Sequence, residues 1–220
     1  MTLTSELAMF RQRFMDSAPP EIRTAMLRAD QALAASGIGD RALKGGDRAP
    51  NFAAHDVDGR LTRLSELLAS GPVVLSFYRG GWCPYCNLEL RALQAALPDI
   101  KRLGATLVAV SPQTPDESLS TAEKNALAFP VLSDVGSQAA KLFGIAFDLA
   151  DELRPIYARF GHGLPDKNGD DSWVLPIPAT FVIDRDGAVA FAFADTDYRN
   201  RLEPSDIIAV LETLALNSAA

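Results

Sequence analysis

The sequence predicts an α/β fold, with a mixed central sheet flanked by helices and an N-terminal helical extension. Short apolar runs of strand length alternate with amphipathic segments of helical length through the middle of the chain. Such alternation implies right-handed crossover connections and a partly parallel sheet that is covered on both faces. Hydrophobic residues make up 48% of the 220 residues, which is enough for one domain with a full core.

Residues 1–44 predict the helical extension. We expect Ser5 to cap a first helix, because apolar residues recur after it at helical spacing. After Pro19 and Pro20, the same spacing predicts a second amphipathic helix that ends near Gly37. We expect these helices to pack on the main domain, and the alternative is an arm that builds a homodimer.

The main domain is predicted to span 45–220. An Asp58-Gly59 turn predicts a hairpin within 52–61. Further strands are expected at 73–77, 106–110, 131–132, 179–183 and 188–193, and helices from Leu88 onward and at 115–127, 136–143 and 204–216. Residues 148–176 fit this alternation poorly, so we interpret them as an insertion with one helix at 151–160 and an otherwise polar loop.

Charge and hydropathy exclude several classes of partner. The net charge is −7 and the sequence pI is about 4.9, which argues against nucleic acid or an anionic membrane as the main partner. No apolar run approaches the ~18–20 residues of a membrane span. The first residues do not combine a basic start with an uninterrupted apolar run, so no signal peptide is predicted. We therefore expect a cytoplasmic location.

The candidate reactive group is the pair Cys83 and Cys86, the only cysteines in the sequence. The pair follows the strand predicted at 73–77 and opens the next helix, where unpaired N–H groups and a partial positive charge favour thiolate over thiol. Pro84 suits a first helical turn, and Trp82 and Tyr85 can provide flat apolar walls. The three-residue spacing lets one thiol resolve a mixed disulfide made by the other.

Two other interpretations of the pair are weaker. Half of a zinc site needs two more ligands, and His55 and His162 show no ligand-like spacing. A structural disulfide across a four-residue loop adds only ~2 kcal/mol in the chain-entropy model. We therefore expect a catalytic dithiol that uses no metal and no cofactor.

Five segments carry a family resemblance. They are GDRAPNF at 46–52, FYRGGWCPYC at 77–86, VAVS at 108–111, FPVLSD at 129–134 and ATFVID at 179–184. Over roughly 44–216 the chain resembles peroxiredoxin-like proteins of the alkyl hydroperoxide reductase and thiol-specific antioxidant (AhpC/TSA) family. The resemblance implies a thioredoxin-like fold, and it favours Pro178 as a cis-proline opposite the cysteines over a simple strand-edge device.

The resemblance also exposes departures from the family pattern. With Cys86 in the peroxidatic position, Arg79 stands in place of a proline, Cys83 in place of a threonine and Pro178 in place of an arginine. Arg79 can replace the missing positive charge, or it can be a solvated surface residue. The order of attack stays open: thioredoxin-like proteins attack with the first cysteine, whereas alignment with peroxiredoxins favours the second.

Three functions follow from the dithiol in this framework. The first is an antioxidant thiol peroxidase, which reduces hydroperoxides through a redox-active disulfide and is restored by thioredoxin, glutaredoxin or glutathione. The second is a thiol-disulfide reductase with little peroxidase activity. The third is a non-enzymatic redox sensor in which the pair switches a surface such as 148–176. For the two enzymatic functions, the expected catalytic residues are Cys83 and Cys86, and the expected substrate-binding residues are Arg79, Trp82, Pro84, Tyr85 and Pro178.

Overall fold

A computed structural model describes residues 1–218 and contains a mixed seven-stranded sheet, as the sequence predicts. The strand order is β2-β1-β5-β4-β3-β8-β9, with parallel pairing of β3, β4 and β5 and antiparallel pairing elsewhere. The strands are β1 (Ala53–Asp56), β2 (Leu61–Arg63), β3 (Val73–Phe77), β4 (Thr106–Ser111), β5 (Val131–Ser133), β8 (Ala179–Ile183) and β9 (Val189–Ala194); β6 (Ala146–Asp148) and β7 (Val174–Pro176) form a separate pair.

Helices cover both faces of this sheet. They are α1 (Leu3–Ser17), α2 (Pro20–Ala35), α3 (Ile38–Arg41), α4 (Leu64–Leu68), α5 (Pro84–Arg102), α6 (Pro115–Lys124), α7 (Gln138–Leu142), α8 (Arg154–Arg159), α9 (Leu164–Asn168) and α10 (Pro204–Ser218). The core on one face joins residues of α1, α5 and α10, and the core on the other joins residues of α3, α4 and α7. Among the described residues, no helix has the length and apolarity needed to cross a membrane.

The central strand β3 shows why the sequence predicts a fully covered sheet. All five of its residues are buried. Val74 belongs to the core beneath α5, whereas Val73 and Leu75 belong to the core on the opposite face. Because successive side chains of a strand point to opposite faces, an unbroken apolar run serves both cores. This strand leads directly to the cysteine pair.

The N-terminal helices form where the sequence predicts them, but the cap differs. Thr2, and not Ser5, is the N-cap of α1, and its side chain accepts a hydrogen bond from the Ser5 N–H at 3.3 Å. Leu3 and Leu7 of α1 are buried in the core that contains α5. Gly37 follows α2 with φ +73°, the left-handed conformation expected after a helix end. The division of the chain at residue 45 stays a prediction.

The segment 148–176 is more ordered than the polar loop that we expected. A 3-10 turn at Asp151–Leu153 and α8 replace the single predicted helix, and α9 follows. Strands β6 and β7 pair at its two ends. Its buried residues, including Leu153 and Leu164, form a third small core with Ala25 of α2. The sequence signal was weak because each element is only three to six residues long.

A close backbone approach joins the N-terminal segment to the main domain. The Leu43 N–H donates to the Phe143 carbonyl oxygen at 3.2 Å. Beside it, a Cβ added to Gly144 would collide with the carbonyl oxygen of Arg41. Gly144 also has φ +72°, so a side chain there would be strained by its backbone as well.

This contact predicts a specific loss of stability. Gly144→Ala should lower the free energy of unfolding by well over the ~1–2 kcal/mol of the unfavourable φ alone, because residues 41–43 must also move away. Gly104→Ala is the matched control, since Gly104 has φ +73° and open space around its missing Cβ. Denaturant unfolding measures the free energy of unfolding of both variants. Equal losses in Gly144→Ala and Gly104→Ala would show that the close approach at Gly144 adds no cost.

Candidate active site

The start of α5 positions the two cysteines. Cys83 is the N-cap residue and Pro84 the first helical residue, so the missing proline N–H costs nothing there. The Cys83 carbonyl oxygen accepts from the Asn87 N–H at 3.1 Å, and Cys86 lies one turn along the helix. Both thiols are free, and their residues are 2% and 0% exposed.

The loop between β3 and α5 is held from several sides. The Gly81 N–H donates to Gln113 Oε1 at 2.8 Å, and Asn87 Nδ2 donates to the Gly81 carbonyl oxygen at the same distance. A Cβ on Gly81 would overlap the Thr121 hydroxyl. The glycine is therefore needed for close approach, and the loop that presents Cys83 is fixed by polar contacts at its centre.

Arg79 is buried at 3% exposure, so its interpretation as a solvated surface arginine is wrong. Its guanidinium carbon lies 4.2 Å from the ring centroid of Tyr198 and 5.2 Å from that of Trp82. Its Nη2 donates to the Tyr157 hydroxyl. Within the described residues it forms no ion pair, and its Nε has no hydrogen-bond partner. Aromatic faces thus stabilise the cation where a carboxylate would otherwise be expected.

A second buried arginine adjoins the pair and was missed from the sequence. Arg201 Nη2 lies 3.5 Å from Cys86 Sγ, and its Nε forms an ion pair with Glu89 Oε2 at 2.6 Å. Both side chains of this ion pair are at most 2% exposed. Burial raises the pKa of Glu89 to about 7, although the positive charge of Arg201 opposes the shift. Arg201 precedes α10 and Glu89 lies on α5, so no local motif joins them.

These charges drive the pKa values of the two thiols apart. Burial alone would raise the pKa of Cys83. A hydrogen bond from the Cys86 thiol, together with the positive charges of Arg79 and Arg201, outweighs burial and lowers that pKa to about 6. The pKa of Cys86 is raised well above its usual range by burial and by the neighbouring Cys83 thiolate. At neutral pH, Cys83 is therefore the thiolate and Cys86 the thiol.

A small pocket of about 140 Å³ opens onto Cys83. Four of the predicted binding residues line it, namely Arg79, Trp82, Pro84 and Tyr85. Its other walls come from α1, α2, the segment 148–176 and Tyr198; they are formed by Phe10, Phe14, Met26, Tyr157, Phe160, His162 and Tyr198. These wall residues come from distant parts of the chain, so no spacing in the sequence predicts that they meet at Cys83.

His162 stacks on Trp82, with the two ring centroids 5.1 Å apart. Partial burial lowers the pKa of His162, which favours the neutral imidazole. In the part of the chain that the structure describes, no three His, Cys, Asp or Glu side chains are grouped as metal ligands would be. His162 is thus an aromatic wall of the pocket.

The prediction for Pro178 is wrong in its geometry. The Ile177–Pro178 peptide bond is trans, so no cis-proline faces the cysteines. Pro178 is buried and lines a neighbouring cavity together with Arg79, outside the pocket that contains Cys83. The sequence string before β8 resembled that of thioredoxin-like proteins, but peptide isomerism depends on the tertiary surroundings.

The arrangement combines a buried thiolate, a resolving thiol one helical turn away and an arginine in an aromatic pocket. Such a thiolate can attack an electrophilic oxygen or sulfur that enters the pocket. The adjacent thiol can then close a disulfide without help from a second molecule.

Comparisons with known proteins agree with this fold. Peroxiredoxin Q, chloroplastic, of Oryza sativa subsp. japonica is 29% identical over 171 residues, which cover 78% of this chain and 65% of the relative. The chain thus spans slightly less than two thirds of that protein. The putative peroxiredoxin Rv1608c of Mycobacterium tuberculosis is 32% identical over 114 residues, covering 52% and 74% of the two chains. The thiol-disulfide oxidoreductase ResA of Bacillus cereus is 26% identical over 159 residues, covering 72% and 74%.

A solved structure and a family model extend the likeness. The crystal structure of peroxidoxin BcpB from Mycobacterium tuberculosis superposes with a TM-score of 0.60 at 27% identity, covering 78% of this chain and 98% of that one. The model of the AhpC/TSA family matches residues 45–192, about two thirds of the sequence. The chain therefore belongs to the AhpC/TSA family.

Proposed function

We propose that this protein is a thiol-dependent peroxidase in which Cys83 attacks and Cys86 resolves. The single observation that carries the proposal is a dithiol at the start of α5 whose first cysteine, Cys83, lines a mainly aromatic pocket of about 140 Å³ beside the Arg79 guanidinium. A pocket of this size admits a hydroperoxide group but not a folded protein. Family membership and the names of the relatives support the same chemistry.

The reaction proceeds in two balanced steps. The Cys83 thiolate attacks the terminal oxygen of the hydroperoxide; an S–O bond forms, the O–O bond breaks, and the alkoxide that leaves takes up a proton to become an alcohol. Cys83 is now a sulfenic acid. The Cys86 sulfur attacks the Cys83 sulfur, and the departing hydroxide takes up the proton released by Cys86 to give water. The product is a disulfide, two electrons more oxidised than the dithiol.

Arg79 takes the role that a family arginine would have near Pro178. Its buried guanidinium lines the pocket beside Cys83 and carries a donor without a partner. It can therefore donate hydrogen bonds to the peroxide and stabilise the negative charge that develops on the leaving oxygen. The positive charge of Arg201 stabilises the same thiolate from beside Cys86.

The dithiol is restored by an external thiol reductant. Glutathione, thioredoxin and glutaredoxin all supply the two electrons by thiol–disulfide exchange. Because Cys83 is only 2% exposed, a protein reductant must first displace the covering side chains of α1 or the segment 148–176. A cytoplasmic location and a homodimer stay predictions.

Thiol-disulfide reduction is the second candidate. The dithiol at a helix N-terminus and the likeness to ResA, a thiol-disulfide oxidoreductase, favour it. The burial of both sulfurs opposes it, because a protein disulfide must reach Cys83 directly. The two functions therefore differ in which oxidant reaches the sulfur first.

Stopped-flow oxidation of the reduced protein separates the two candidates. We expect hydroperoxides to oxidise the dithiol at least a hundredfold faster than a folded protein disulfide does, because only a small molecule enters the pocket. Trp82 lines that pocket and reports the change by fluorescence, and Trp173→Phe removes the signal of the other tryptophan. Faster oxidation by the protein disulfide, or a peroxide rate no higher than that of a free low-pKa thiol, would contradict the proposal.

Single-cysteine variants test the order of attack. After one equivalent of hydrogen peroxide, Cys86→Ser should hold a sulfenic acid on Cys83 that a dimedone label detects by mass spectrometry. Cys83→Ser should react at least a hundredfold more slowly, because Cys86 is fully buried, its burial raises the pKa of its thiol, and it does not line the pocket. Fast labelling of Cys86 in Cys83→Ser would reverse the two roles.

A further inference from the structure

The turn between β3 and α5 joins the two groups that the proposed reaction needs. The Cys83 N–H donates to the Gly80 carbonyl oxygen at 3.0 Å, which closes a β-turn over residues 80–83. Arg79 comes directly before this turn and Cys83 ends it. The conformation of the turn therefore determines where the Cys83 sulfur lies relative to the Arg79 guanidinium. The first two residues of the turn are glycines, which restrict the backbone least.

Two amide side chains from outside the turn hold Gly81 from opposite sides. Gln113 Oε1 accepts from the Gly81 N–H, and Asn87 Nδ2 donates to the Gly81 carbonyl oxygen, each at 2.8 Å. Asn87 Nδ2 also donates to the Cys83 carbonyl oxygen at 3.1 Å. The N–H and the carbonyl of one residue belong to two successive peptide groups. Both peptide planes at the centre of the turn thus have a fixed orientation.

Further hydrogen bonds orient the two amides, which are both buried; Gln113 is 0% exposed and Asn87 6%. Gln113 Oε1 also accepts from the Thr121 hydroxyl, and Gln113 Nε2 donates to Glu117 Oε2, both at 3.4 Å. Asn87 Oδ1 accepts from Asn125 Nδ2 at 2.8 Å. Every polar atom of the two amides is therefore paired, so Gln113 presents an acceptor to the turn and Asn87 presents a donor.

The chemistry of these contacts favours a role in orientation. Apolar side chains in these buried positions would fill the same space without removing amides from water. Only a paired acceptor and donor, however, can fix both peptide groups of Gly81. Neither Gln113 nor Asn87 lines the pocket that contains Cys83, so neither touches a molecule bound there. Any effect of these amides on the reaction must pass through the turn.

We propose that Gln113 and Asn87 are positioning residues, which hold the turn at 80–83 so that the Cys83 sulfur stays beside the Arg79 guanidinium. This inference rests on the peroxidase function proposed above and adds two residues to its machinery. The hydroperoxide must meet the sulfur and the guanidinium at once, and the stabilisation of the leaving oxygen depends on their separation. A turn that is released on one side lets that separation vary.

Loss of either amide tests this role in two measurements. Gln113→Leu removes the acceptor of the Gly81 N–H, and Asn87→Leu removes the donor to the Gly81 carbonyl oxygen; both keep a side chain of similar size. We expect each variant to raise the midpoint of the Cys83 thiolate titration, followed at 240 nm, by about half a pH unit. We expect the second-order rate constant for hydrogen peroxide to fall about 10- to 100-fold, because the reacting groups are misaligned. A role in stability alone would move neither quantity in the folded protein.

Gln94→Leu is the matched control, because Gln94 lies on α5 and also accepts from a backbone N–H distant in sequence. Its Oε1 accepts from the Ala128 N–H at 2.7 Å, and Gln94 does not line the pocket. The midpoint and the rate constant of this variant should both match those of the unmodified protein. Denaturant unfolding identifies the variants that are folded, and Asn87→Leu decides the question where Gln113→Leu does not fold.

Two outcomes separate this inference from the function on which it rests. Folded Gln113→Leu and Asn87→Leu with the midpoint or the rate constant of Gln94→Leu would overturn the positioning role and leave the peroxidase function standing. Slow oxidation of the unmodified protein by every hydroperoxide would overturn the peroxidase function. The midpoints of the two variants would then still decide whether Gln113 and Asn87 position Cys83.

Discussion

Two guanidinium groups, those of Arg79 and Arg201, lie buried beside a pair of thiols at the start of α5. Arg201 forms an ion pair with Glu89, whereas Arg79 is surrounded by aromatic rings and forms no ion pair within the described residues. In a medium of low dielectric, these charges act strongly on any nearby sulfur. They lower the pKa of Cys83 despite its burial, so that Cys83 and not Cys86 is the thiolate. The proposed attack by Cys83 and its resolution by Cys86 both depend on this difference in pKa.

The burial of Cys83 also determines which oxidants can reach its sulfur. Helices α1 and α2 and the segment 148–176 enclose the sulfur that the AhpC/TSA framework presents, so the site is built from parts far apart in the chain. A covered thiolate is protected from large disulfides but accessible to a small oxidant. A protein reductant can reach the disulfide only when α1, α2 or the segment 148–176 moves away from Cys83. In the function that we propose, access of the oxidant to Cys83, more than the reactivity of its thiolate, favours hydroperoxides over protein disulfides.

Local patterns predicted the parts of the fold that depend on local physics. The apolar run of β3, the dithiol that opens α5 and the proline that starts α10 were all predicted correctly. Arg201 and Glu89 are 112 residues apart, and His162 reaches Trp82 from the segment 148–176, so no spacing rule could join them.

The trans bond before Pro178 differs from the expected cis bond because a short resemblance carries no information on tertiary surroundings. The sequence predicts Arg79 as a candidate, and its burial in the structure rules out a solvated surface residue.

The most direct test of this account is a thiolate titration by absorbance at 240 nm, in the unmodified protein and in Arg79→Met. The account predicts one thiolate with a pKa of about 6, no second thiolate below about pH 9, and an Arg79→Met midpoint about one pH unit higher. Arg102→Met, at the exposed far end of α5, should leave the midpoint unchanged. A first thiolate that appears only above pH 8, or a midpoint that is insensitive to Arg79, would contradict it.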